Sequence, residues 1–183
     1  MSQAAAKNTQ SSKFSVRDIC YTGLFAAVIA VMAQISIPMP LGVPMTMQTF
    51  AITLAAVVLG SKLSAMASLV YLILGAVGVP VLASFSGGID KFVGPTGGFL
   101  ISFPLMAYLI GLGVEHRNAF KGAFPLAVVV GTVVNYIVGV ILFVIVAHST
   151  VAVAISACVL PFIPTAIIKA VLACAIGLNI RKR

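Results

Sequence analysis

The sequence has 183 residues, 61% of them hydrophobic and only 8% charged, with a formal net charge of +8. Soluble domains hold roughly 45–50% apolar residues, so this composition excludes an ordinary globular domain and points to an integral membrane protein. The eleven basic residues are scattered between apolar blocks instead of gathering on one face, which argues against a nucleic-acid partner.

Residues 1–13, MSQAAAKNTQSSK, are polar and have no apolar core; they are expected to form a disordered cytoplasmic tail with no cleaved signal peptide. Residues 14–183 are expected to form one transmembrane domain. Breaks at Pro, Gly and charge place apolar spans at Ile19–Ile37, Gln48–Leu59, Ala65–Val81, Gly98–Val114, Phe124–Ala147 and Pro161–Ile180. Their lengths suit helices in a ~30 Å hydrocarbon core, without the alternating segments of an outer-membrane barrel. The expected fold is all-α, a polytopic six-transmembrane-helix bundle. Its second span is short and suits a helix that begins inside the bundle, where protein or a cavity covers irregular backbone.

An even number of spans puts both termini on one side. The tails and even-numbered connections hold Lys7, Lys13, Arg17, Lys62, Arg117, Lys121, Arg181, Lys182 and Arg183, while the opposite face has Lys91 alone. The positive-inside rule then places both termini in the cytoplasm. Facing outward are IPMPLGVPMTMQT, between the first two spans, and PVLASFSGGIDKFVGPTGG, between the third and fourth. Gly and Pro allow turns that expose backbone N–H and C=O groups, so these segments fit a small-molecule site near the outer surface as well as ordinary connecting loops.

The last span contains PFIPTAIIK, with Lys169 in an otherwise apolar run. Pro164 suits the first turn of a helix, and at ~1.5 Å per residue Lys169 then lies about 7–8 Å from the outer end. A lysine at bilayer depth costs about 2.5–3.5 kcal/mol on insertion scales, so it should face the bundle interior and have a partner. Snorkelling to the outer headgroups is the alternative. Thr165 and Ala166 share its helix face, which is narrow and weakly polar. A ligand carboxylate or strong acceptor placed there would meet the ammonium in a low-dielectric setting. Asp18 and Glu115 sit at the cytoplasmic edge, so Asp90 is the acid able to approach Lys169 from outside.

Further candidate contacts are Gln48 and Thr49 at the start of the second span, Ser84, Ser86, Asp90 and Lys91 in the second outer loop, and Asn135 and Tyr136 in the fifth span. An amide in hydrocarbon needs a partner, and for Asn135 an interhelical hydrogen bond and a ligand contact serve equally. Tyr71 and Tyr108 fit packing or interfacial roles better. In the first span, Ala26 and Ala30 form one pair of small residues four apart and Gly23 and Ala27 a second, which suits close approach of another helix from inside or outside the bundle.

No catalytic or metal site is expected. Cys20, Cys158 and Cys174 stand singly and read as small buried hydrophobes. His116 and His148 lie at span ends on opposite sides, carboxylates are not paired, and no G-x-x-x-x-G-K-[ST] loop is present. Any nucleotide hydrolysis must therefore come from partners.

Four fragments in order, GVPMTMQTF from Gly42, YLILGAVGVPVLASFSGG from Tyr71, GPTGGFLISF from Gly94 and PFIPTAIIK ending at Lys169, resemble the BioY family over about Phe14 to Ile180. That resemblance implies a six-helix substrate-binding component of an energy-coupling factor vitamin transporter. It implies biotin as ligand, no cofactor, and docking onto a transmembrane coupling protein with two ATPases. In the family the A-x-x-x-A face, here Ala26 and Ala30, looks like the docking surface. This sequence departs from the family pattern at Ala166, where an aspartate usually stands three residues before the lysine; Thr165 is then the neighbouring acceptor for a ureido group. A stand-alone vitamin facilitator or secondary carrier is the alternative, for which Lys169 would be the intramembrane titratable group.

Overall fold

The computed structural model describes residues 15–39, 42–117 and 122–181. The expected tail, residues 1–13, lies outside these.

Ser15 starts helix α1 (Val16–Ala33) with a capping box, in which its hydroxyl accepts from Arg17 N and Asp18 accepts from Ser15 N. The chain then forms a short antiparallel hairpin, β1 (Ser36–Ile37) with β2 (Met45–Thr46), pairing Ser36 with Thr46. Helix α2 (Gln48–Leu59) follows with the predicted boundaries, and every residue from Phe50 to Val57 is buried. It is apolar all round because it is the central element, packed against four other helices.

Helix α3 (Ser61–Ala76) begins after Gly60 alone, whose φ of +82° is a backbone conformation that favours glycine. The span expected from Ala65 therefore starts four residues earlier, and the short basic connection is largely helix. The reason is non-local: the Glu115 carboxylate accepts from Ser61 N at 2.7 Å and Ser61 Oγ at 2.9 Å, satisfying the first turn of α3 from across the bundle.

After Gly78, at φ +98°, come a 3₁₀ turn at Ala83–Phe85 and the four-residue helix α4 (Asp90–Val93). Helices α5 (Gly97–Glu115) and α6 (Ala123–Val146) form the main helix pair. On α6, Leu126, Val129, Val133, Ile137, Ile141 and Ile145 form an exposed apolar stripe, while Val128, Gly131, Asn135, Gly139 and Phe143 are buried on the opposite face. Beyond it lies a helix that the sequence reading left as loop, α7 (Val151–Cys158), N-capped by Thr150. A 3₁₀ turn at Leu160–Phe162 leads into α8 (Ile163–Arg181), whose Gly177 lies against Val57 and Leu54 of α2.

Among the described residues, four helical stretches are long and apolar enough to cross a bilayer: α1, α5, α6 and the run Val151–Arg181; α2 and α3 are shorter apolar helices. The chain is thus an all-α, multi-pass membrane protein. Cys158 is buried and Cys174 half-buried as expected, but Cys20 lies exposed on α1.

The α3–α5 crossing is unusually tight. A Cβ added to Gly111 would fall on the backbone N and Cα of Ser61, which cannot move aside. Gly111→Val is expected to destabilise by on the order of 2–3 kcal/mol and to lower the melting temperature in detergent by several degrees. An unchanged melt would show that these helices part freely.

Candidate functional site

The ends of the helices and the connections between them enclose a cavity of about 300 Å³. The hairpin segment and the first turn of α2 form one wall, with Thr46, Gln48 and Thr49. The segment from Leu82 to Ser86, together with Lys91, forms the cover. Aromatic side chains of α5 and α6, Phe99, Phe103 and Tyr136, form a second wall, and Phe162 with Thr165, Ala166 and Lys169 closes the third. Phe99 and Tyr136 pack edge to face with centroids 6.5 Å apart.

Ten of the eleven predicted site residues thus border a single cavity: Gln48, Thr49, Ser84, Ser86, Lys91, Asn135, Tyr136, Thr165, Ala166 and Lys169. The eleventh does not. Asp90, expected to approach Lys169, is 66% exposed and instead pairs with Lys91 at 3.2 Å. Helix α4 sets Asp90 at its outer end, where the adjacent lysine reaches it first.

Lys169 faces inward, and snorkelling is excluded by its contact. Its ammonium donates to the Thr46 carbonyl at 2.7 Å, joining α8 to the hairpin across the cavity. Thr46 is held in turn, since its hydroxyl donates to Gln48 Oε1 at 2.8 Å and Gln48 Nε2 donates to the Tyr71 hydroxyl. Tyr71 is fully buried; its expected packing role includes anchoring this chain of bonds. Thr165 donates its own proton to the Phe162 carbonyl at 2.9 Å, so toward the cavity it is an acceptor only. No carboxylate lies within ion-pair distance of Lys169 among the described residues. An ammonium has three donors, and the Thr46 carbonyl occupies one.

The cover is tied to α1. Gln34, just past the last turn of α1, donates from Nε2 to Ala30 O at 2.8 Å and Val81 O at 3.1 Å, and its Oε1 accepts from Phe85 N at 2.7 Å. Ser36 and Ser84 hydroxyls lie 2.9 Å apart. Within the cover Ser84 (φ 57°) and Phe85 (φ 53°) are both left-handed without being glycine, a conformation that costs energy and persists because these bonds hold it.

The expected docking pair lies mostly on the side of α1 that faces the bundle. Ala26 is 3% exposed within the main core, and Ala30 packs partly buried against the same cluster. The helix turns the other small pair outward: Gly23 and Ala27 are exposed, and nothing lies within 4 Å of a Cβ built on Gly23. Residues 26 and 27 differ by about 100° around the helix axis, which the spacing of alanines alone does not resolve.

Several residues of the site escaped the sequence reading. Thr46 acts through its backbone carbonyl, which no side-chain pattern encodes. Phe99 and Phe103 stand four apart on α5 and were legible as a helical face. Gln34, at the end of α1, was indistinguishable from any polar residue at a helix terminus.

The model of the BioY family matches residues 6–183. "Biotin transporter BioY" of Thermotoga maritima is 42% identical over 168 residues, covering 91% of this chain and 97% of that protein. The protein of the same name from Rhodobacter capsulatus is 36% identical, covering 85% and 88%. Among solved structures, the crystal structure of the S-component for biotin from an ECF-type ABC transporter superposes with a TM-score of 0.82 at 27% identity, covering 92% of each chain.

Proposed function

The chain belongs to the BioY family, and on that premise we propose that it is the biotin-capturing subunit of an energy-coupling factor uptake system. The family consists of transport components, so the chain is not an enzyme. In this reading α1, α2, α3, α5, α6 and α8 are the six spans, both termini are cytoplasmic, and the cavity opens to the outside of the cell membrane.

The observation that carries the proposal is the ammonium of Lys169, turned into an enclosed cavity with one carbonyl as partner. Biotin combines an apolar bicycle, a ureido group with one carbonyl and two N–H donors, and a carboxylate on a flexible tail. The ureido carbonyl supplies an acceptor for one of the remaining Lys169 donors. Leu82, Leu100, Phe103 and Phe162 suit the bicycle. At the rim, Lys91 is 42% exposed, which leaves it free to exchange Asp90 for the ligand's carboxylate. Two cations thus line one largely apolar cavity, matching the two polar groups of the ligand.

Uptake requires a coupling protein and two ATPases, and the outward face of α1 around Gly23 and Ala27 is where we place that contact, since small residues let another helix approach closely.

Equilibrium binding of labelled biotin to the purified chain tests this reading. Saturable binding at one site is expected, with desthiobiotin, which keeps the ureido group and carboxylate, competing far better than lipoate. Absence of saturable binding would overturn the proposal, and equal competition by lipoate would remove the ureido contact from it.

A further inference from the structure

We propose that Asn135 is the hydrogen-bond acceptor that reads a ureido N–H at the inner end of the cavity, and that Ser102 is the positioning residue that fixes its polarity. The proposal rests on biotin being the ligand and adds which end enters first and what recognises it.

Asn135 is 2% exposed in the middle of α6. Its amide nitrogen donates to Ser102 Oγ at 2.7 Å and to the Phe99 carbonyl at 3.1 Å, both on α5. Ser102 gives its own proton to that same carbonyl at 3.0 Å, so toward Asn135 it can only accept. Both amide hydrogens are therefore committed to α5, and the amide cannot turn over without breaking two bonds and setting Oδ1 against two acceptors. No donor among the described residues reaches Oδ1. Neither is Oδ1 among the sealed, unpaired side-chain oxygens, which are those of Thr22 and Ser149; it opens onto the cavity that Asn135 lines.

A second chamber, of about 20 Å³, fixes the depth of this group. Relative to the main cavity its lining steps one turn away from the mouth on three helices: Thr53 follows Thr49, Ala170 follows Ala166, and Thr132 precedes Tyr136. Thr49, Asn135, Tyr136, Ala166 and Lys169 border both spaces, so they share the floor. Beside the rotatable hydroxyls of Thr49 and Tyr136, the floor then presents one fixed acceptor, Asn135 Oδ1, and one cationic donor, Lys169, while Ala166 presents neither. An amide or urea edge, with adjacent C=O and N–H, satisfies both groups. A carboxylate would satisfy Lys169 but set its own lone pairs against Oδ1, and a buried polar group left unpaired is where strong selectivity arises. Biotin therefore enters ureido first, leaving its carboxylate toward Lys91.

The test compares biotin with its two cyclic carbamate analogues, each replacing one ureido N–H by ring oxygen, on the wild-type chain, Asn135→Leu and Ser102→Ala. Wild type is expected to bind one of the two carbamates about tenfold or more weakly than biotin, the loss of a single buried hydrogen bond. Asn135→Leu should bind biotin and that carbamate alike. Ser102→Ala, which deletes one oxygen and frees the amide to rotate, should cut the discrimination at least threefold. A merely structural role would lower all affinities together and leave the ratio intact. An unchanged ratio in a variant with a native melt overturns the inference; if Asn135→Leu does not fold, Ser102→Ala alone decides. Wild type that fails to bind biotin would instead overturn the functional reading itself.

Discussion

Replacing Lys169 by alanine is expected to weaken biotin binding by about 10–10²-fold while leaving the empty protein as stable as before, or more so. The two effects have one origin. In the empty chain the ammonium is half-buried with the Thr46 carbonyl as its partner, so its desolvation is incompletely offset and removing it relieves that cost. With ligand bound, the same charge donates a further hydrogen bond at low dielectric, worth about 1.5–3 kcal/mol. Binding isotherms combined with melts in the presence and absence of biotin separate the two. The melting temperature of wild type should rise on adding biotin and that of Lys169→Ala should hardly move. A variant binding within threefold of wild type would show that the lysine serves only to pin the hairpin to α8.

Doubling the bulk of the outward face of α1, by Gly23→Phe with Ala27→Phe, should abolish co-purification with the coupling protein and leave biotin binding by the isolated subunit unchanged. Both positions are exposed, and a Cβ built on Gly23 has nothing within 4 Å. The control runs the other way. Ala26→Phe enters a core that holds Ile29, Ala33 and Ala51, all at 0% exposure, and should cost folding before it affects assembly. Retained co-purification by the double variant would move the contact to another element.

These two cases mark what was legible in the sequence. Lys169 stood out because a cation in a 20-residue apolar run has few physical explanations, and the hydrophobic blocks around it gave most helix boundaries to within a few residues. The cavity gathered the polar residues of both long loops because Pro and Gly had broken the chain at one end of the bundle. What remained hidden depended on partners far away in sequence. The start of α3 is set by Glu115, 54 residues on; the carbonyl that meets Lys169 lies 123 residues before it. The Ala26 and Gly23 faces could not be ranked because nearly all of α1 is apolar and its two sides look alike until its neighbours are known. Helix α7 was missed because its cap, Thr150, follows Ser149, and such a polar pair also resembles a loop.

Gln34 makes a single rigid unit of the end of α1 and the flap above the pocket. Its three hydrogen bonds run to backbone atoms of Ala30, Val81 and Phe85, so sliding or tilting that rod tugs on a strand already bent against its preference at Ser84 and Phe85. A subunit gripping the rod from the lipid side therefore holds a handle on the doorway without ever touching the cargo.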